Sequence, residues 1–101
     1  MDQAMEWFRI MQQRDINPNL YTMNILINGF AKLGNMDPAM KWFRIMQERN
    51  MNPNVRTFST LIDGFAKLGN MDQAMEWFRI MQQRDINPNL YTFNILIDGF
   101  A

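Results

Sequence analysis

Apolar side chains recur along this chain at the three- and four-residue spacing of an amphipathic helix, and short polar breaks separate the helical stretches. From about Tyr21 to Leu33, the residues Met23, Leu26, Ile27 and Phe30 share one face. Gly34 follows, at a position past a helix end that favours a left-handed backbone. Asp37 is expected to cap the next helix, with Pro38 at its first position. That helix turns Ala39, Met40, Phe43 and Met46 inward, and Trp42 and Ile45 widen the apolar band. It is expected to close near Arg49–Asn50, with Asn50 in the left-handed region, and Pro53 prevents continuation.

The pattern then repeats with a period of 35 residues. The step links Trp7, Trp42 and Trp77, then Pro18, Pro53 and Pro88, then Gly29, Gly64 and Gly99. The first 31 residues recur 70 positions later, with Phe93 for Met23 and Asp98 for Asn28 as the only changes. Such near-identity points to recent duplication or to design. Two antiparallel helices cannot bury both of their faces alone, whereas stacked neighbours can, so the period predicts an all-α solenoid of helix-turn-helix units.

The units divide as a half repeat over 1–19 (a second helix), full repeats over 20–54 and 55–89, and a half repeat over 90–101 (a first helix). Joining Ala101 to Met1 of another copy would lack only a four-residue loop like Lys32-Leu33-Gly34-Asn35. Neither end carries a polar capping helix, so head-to-tail self-association is expected. Met1 lies in register with Met36 and Met71, which leads us to expect an excised or designed unit.

Composition narrows the function. With 101 residues and 48% apolar content, the chain fits one small domain with a packed core. Ten basic residues balance ten acidic ones, so no global field draws it to a polyanion, and such binding must come from local placement. Cysteine and histidine are both absent. Without them there is no thiol chemistry, no common metal ligand and no imidazole base. No nucleophile–base pair or metal cluster is legible, so the chain is not expected to be an enzyme, to hold a cofactor or metal, or to take a small-molecule substrate. No apolar run approaches a membrane span, and no targeting segment is evident.

The segment Tyr-Thr-Phe-Asn-Ile-Leu-Ile-Asp-Gly-Phe-Ala at 91–101 resembles the first helix of the pentatricopeptide repeat. So does the run from Thr57 to Phe65, followed by Ala66-Lys67-Leu68-Gly69. Ala39-Met40, Phe43, Met46 and the Pro53-Asn54 ending complete the likeness, which covers the whole chain at the family's period.

That resemblance implies a right-handed α-α superhelix whose first helices line a groove for single-stranded RNA, about one base per repeat. It implies that a polar residue early in each first helix and the last residue of the unit jointly read a base edge. Here the pairs are Asn24 with Asn54 and Ser59 with Asn89, while Asn94 opens a pair and Asn19 closes one. The family's pairing rules imply a reading of C or U, then A, from the 5′ side. The resemblance assigns base stacking to Tyr21, Arg56 and Tyr91, and phosphate contact to Lys32 and Lys67. It also implies a mitochondrial or chloroplast setting. Three features depart from the family pattern: Asn19, Asn54 and Asn89 close every unit with Asn where Asp is common, Asp15 and Asp85 stand at helix exits where Gly is usual, and the Trp column is larger than its counterparts.

Plainer roles compete for several of these residues. The Trp column and the methionine columns (Met1/36/71, Met5/40/75 and Met11/46/81) read as helix packing. Asp2, Asp37 and Asp72 read as N-caps, and Asn19, Asn54 and Asn89 as caps or turn formers as well as readers. Arg56 has Asp63 and Asp98 as alternative partners, and Arg44 with Glu48 reads as a solvated outer face. A structural or protein-interaction scaffold is the alternative to RNA binding.

Overall fold

The computed structural model describes residues 2–101; the expectations placed on Met1 and on the Asp2 side chain lie outside the described residues. Six helices follow one another: α1 (Asp2–Gln13), α2 (Leu20–Lys32), α3 (Met36–Glu48), α4 (Val55–Lys67), α5 (Met71–Gln83) and α6 (Leu90–Phe100). No strand occurs among the described residues. The first helices α2, α4 and α6 stack side by side, and α3 and α5 pack behind α2 and α4. The result is an elongated body of 45 × 27 × 20 Å, an all-α helical repeat.

The turns follow from glycine, asparagine and aspartate. Gly34 and Gly69 adopt φ of 76° and 78°, and the backbone N–H of the following Asn35 and Asn70 donates back to the carbonyls of Phe30 and Phe65. This geometry satisfies carbonyls that the helix end leaves open. At the other turns Asn50 is left-handed as expected (φ 59°), and Asp15 and Asp85 are forced into the same region at 57° and 58°. A side chain with a Cβ is strained there.

The expected caps of the second helices need correction. Both α3 and α5 start two residues before Pro38 or its counterpart Gln73, with Asn35 and Asn70 at the N-cap positions, although the Asn35 side chain makes no capping bond. The Asn70 side chain accepts from the Gln73 N–H at 3.2 Å. Asp37 and Asp72 lie inside the first turn, exposed, where the helix dipole still favours a negative charge. The left-handed glycine delivers the chain to its asparagine already turned, which leaves the aspartate two positions too late to cap.

Met23, Ile27, Met46, Phe58, Leu61, Ile62 and Met81 are fully buried and form the spine of the core. Removing each large apolar side chain from water contributes about 1.5–3 kcal/mol. The first helices approach closely because Gly64 and Gly99 lack side chains: a Cβ on Gly64 would lie 3.0 Å from the Ala31 Cβ and 2.5 Å from the Met36 sulfur. The Trp column is graded. Trp77 is buried, with ring centroids 5.0 Å from Phe43 and 6.0 Å from Phe58. Trp42 is half-buried, 5.0 Å from Phe8, whereas Trp7 is 69% exposed. The second and third tryptophans thus pack against aromatic neighbours, as the column's spacing predicts.

Candidate functional site

Each first helix is opened by an asparagine that forms a capping box with the threonine three residues on: Asn19 with Thr22, Asn54 with Thr57, and Asn89 with Thr92. The Asn54 Oδ1 accepts from the Thr57 N–H at 3.1 Å, and the Asn89 Oδ1 accepts from the Thr92 N–H at 3.0 Å. The Asn54 and Asn89 backbone N–H groups donate in return to the threonine hydroxyls, at 3.2 and 3.3 Å. The cap fixes each asparagine's oxygen inward on the helix N-terminus, so the amide nitrogen is the part left for another partner.

The same boxes meet the preceding repeat. Asn24, although 4% exposed, donates through Nδ2 to the Asn54 Oδ1 at 3.3 Å, and its Oδ1 accepts from the Thr57 hydroxyl at 2.6 Å. Asn24 and Asn54 are thus brought together directly. Ser59 and Asn89 are joined through an intermediary: the Ser59 hydroxyl shares a 2.6 Å hydrogen bond with the Thr92 hydroxyl, which is 3.0 Å from the Asn89 Oδ1. Ser59 is fully buried, so the openers Asn24 and Ser59 form an inner row and the closers Asn54 and Asn89 an exposed outer row. Asn19 and Asn94 are both exposed, at opposite ends of the stack.

A half-open cavity of about 380 Å³ lies beside this row, between α2, α4 and α6. It gathers Lys32, Arg56, Asn89 and Tyr91. Two residues that the sequence reading did not single out, Asn28 and Thr60, complete its polar lining. A signal for both was present, because each departs from its own column: Asn28 stands where Asp63 and Asp98 do, and Thr60 where Ile25 and Ile95 do. Tyr21 is not part of this cavity. It is 66% exposed beside Trp7 and Phe8, at the α1 end.

The two lysines differ. The Lys67 ammonium lies 3.1 Å from the Asp63 carboxylate, and its pKa is raised by hydrogen bonding to Asp63 and then by that carboxylate's charge. Lys32 has Asn28 at the equivalent position and pairs with no carboxylate among the described residues. Arg56 makes no ion pair with Asp63 or Asp98, so its guanidinium is available as a flat cationic surface on the cavity wall. The described residues contain no cluster of three potential metal ligands, and no helix is long and apolar enough to cross a membrane.

A family model described as the PPR repeat family matches residues 1–32, 22–67 and 60–101, which together span the chain. The chain belongs to the PPR repeat family. Among solved structures, PPR10 in complex with an 18-nt psaJ RNA element superposes with a TM-score of 0.89 at 24% identity, over 97% of this chain. PPR10 from maize matches with a TM-score of 0.78 at 26% identity, over 96% of this chain. In both cases the chain spans only 14% of the length of the matched protein. No curated protein sequence matches.

In this PPR repeat each of the two pairs spans two adjacent first helices, so stacking and not one unit brings its members together. Asn24 is on α2 and Asn54 caps α4; Ser59 is on α4 and Asn89 caps α6.

Proposed function

We propose that this chain is a modular, non-catalytic reader of single-stranded RNA, taking about one base per repeat. The observation that carries the reading is the cavity in which Arg56, Tyr91, Lys32 and Asn89 converge. A guanidinium plane and a phenol ring suit opposite faces of a base, an ammonium suits the phosphate beside it, and an amide suits its edge. The RNA bound by the structurally similar PPR10 supports the same partner.

In this reading Asn24 with Asn54 selects C or U, and Ser59 with Asn89 selects A. The exposed closers meet the base edge, and the buried openers set how each closer's amide is held. Lys32 provides the principal phosphate contact, with Lys67 secondary because Asp63 already engages it. The family setting of a mitochondrion or chloroplast is part of the proposal. At roughly 1–3 kcal/mol per stacked base, a two- or three-base footprint supports only about millimolar to micromolar affinity.

NMR titration with short RNAs containing CA or UA, against scrambled RNA and matching DNA, tests the reading. Shifts at Asn54, Arg56, Asn89 and Tyr91 with the matched RNA are expected. No shift at millimolar RNA would reject RNA binding by this chain.

A further inference from the structure

Thr60 stands in a column whose other members are Ile25 and Ile95, so it alone brings a hydroxyl to that position of a first helix. It lines the cavity between α2, α4 and α6, yet it is only 5% exposed. The hydroxyls of Thr22, Thr57 and Thr92 are engaged in capping boxes, whereas that of Thr60 has no hydrogen-bond partner among the described residues. No sealed side-chain oxygen or nitrogen among those residues lacks a partner, so the Thr60 hydroxyl is not sealed but opens onto the cavity. A polar group held so deep without a partner leaves a favourable hydrogen bond for a ligand to complete.

Helix register places this hydroxyl between the groups that suit a base and the group that suits a phosphate. The contacts of Asn24 with Thr57 and of Ala31 with Gly64 both pair a residue of α2 with the one 33 positions later on α4. The same offset sets Asn28 level with Leu61, beside Thr60, and Lys32 level with Phe65. At about 1.5 Å per residue, Thr60 lies about 6 Å beyond Arg56 along the groove, and Lys32 about 7.5 Å beyond Thr60. Both cationic side chains are long enough to lean toward the middle. In a nucleotide the ribose is bonded to the base on one side and to the phosphate on the other. A base between Arg56 and Tyr91 whose phosphate meets Lys32 therefore carries its sugar past Thr60 and Asn28.

We propose that Thr60 recognises ribose: its hydroxyl hydrogen-bonds the 2′-hydroxyl of the nucleotide held between Arg56 and Tyr91, with the Asn28 amide facing the same sugar, and so selects RNA over DNA at that position. Two hydroxyls suit each other because each can donate and accept. Ile25 and Ile95 offer no such bond, so the discrimination belongs to the central unit alone. This inference rests on the proposed RNA reading, in which that nucleotide is the adenosine assigned to Ser59 and Asn89, and it adds a sugar contact that the base-reading pairs do not supply.

A double-mutant cycle between protein and strand tests it. NMR titration compares a short RNA containing CA with the same strand carrying 2′-deoxyadenosine in place of that adenosine. The wild type should bind the all-ribose strand about two- to tenfold more tightly, the range of one neutral hydrogen bond. Thr60→Val keeps the shape and orphans no partner inside the protein, so its unfolding midpoint should match the wild type. It should bind both strands as the wild type binds the deoxy strand. Thr60→Ser retains the hydroxyl and should keep the preference. Equal binding of the two strands by the wild type would overturn the proposal and leave the RNA reading intact. A preference that survives undiminished in Thr60→Val would do the same. Binding of neither strand at millimolar concentration would reject the RNA reading itself, and this inference with it.

Discussion

Asn24 on α2 donates through its amide to the Oδ1 of Asn54, the residue that caps α4, 3.3 Å away and thirty positions along the chain. One oxygen therefore serves the helix N-terminus and the neighbouring repeat together. The Thr57 hydroxyl sits between them, 2.6 Å from the Asn24 Oδ1 and 3.2 Å from the Asn54 N–H. Replacing Thr57 by Val keeps the volume but leaves a buried amide oxygen without its donor and a cap N–H without its acceptor. A loss of roughly 1–3 kcal/mol is expected, read from urea unfolding with an unchanged m-value.

Asn54→Ala removes the cap and the link to Asn24 together and should cost about 1–2 kcal/mol. Asn54→Asp should cost much less, because a carboxylate still accepts from the Thr57 N–H and from Asn24, and a negative charge is favourable at a helix start. Equal losses in the two variants would show that the capping oxygen is not what the fold uses.

Much of the fold was legible because it rests on local rules that repeat. Apolar spacing located the helices to within about two residues, and Gly34 and Asn50 marked their ends. The misplacement of Asp37 as a cap arose because Asp and Asn are both good caps, and the left-handed turn at Gly34 decided between them. The grading of the tryptophans was not legible either, since burial depends on whether a neighbouring unit is present, and one column contains buried, half-buried and exposed members. In the site, the family pattern groups Asn24 with Asn54 as base readers, and what the fold adds is a direct hydrogen bond between them. That Ser59 reaches Asn89 only through Thr92 depends on side-chain length across two helices. Asn28 and Thr60 are not legible in what the repeats share, because each departs from its own column.

Strain at the helix exits gives a stabilising prediction. Asp15 and Asp85 hold φ of 57° and 58°, a region that costs an ordinary residue about 1–2 kcal/mol. Glycine avoids that cost but makes the unfolded chain more flexible, which returns up to about 1 kcal/mol. Asp85→Gly should therefore raise stability by a few tenths to about 1 kcal/mol, seen as a higher thermal midpoint. A lower midpoint would mean that the aspartate side chain stabilises the turn by more than its backbone strain costs.

The close approach of the first helices gives the opposite sign. A methyl group on Gly64 would stand 2.5 Å from the Met36 sulfur and 3.0 Å from the Ala31 Cβ. The thioether can swing aside, but the alanine is fixed to the α2 backbone. Gly64→Ala should cost about 1–3 kcal/mol, despite the better helix propensity of alanine. An unchanged unfolding midpoint would show that α2 and α4 separate easily, and with it that the cavity between them is adjustable.

The last prediction concerns charge on the groove. Asp63 engages Lys67, raising its pKa, so the stabilisation this gives is present at neutral pH and fades as pH climbs through the raised lysine value. Lys32 is spared the same fate by Asn28. Asn28→Asp should place a carboxylate four residues before Lys32, as Asp63 stands before Lys67, and engage the ammonium that the proposed reading gives to a phosphate. Asp63→Asn should do the reverse and release Lys67. Each phosphate contact on single-stranded nucleic acid contributes about 0.7 to the slope of log affinity against log salt. RNA affinity should therefore fall with a shallower salt slope in Asn28→Asp, and rise with a steeper one in Asp63→Asn. Asn28 and Asp63 are half-buried but their lysine partners are exposed, so stability should move by no more than about 1 kcal/mol in either case. If the two variants leave the slope unchanged, the lysines do not meet phosphate, and the affinity comes from stacking on Arg56 and Tyr91 alone.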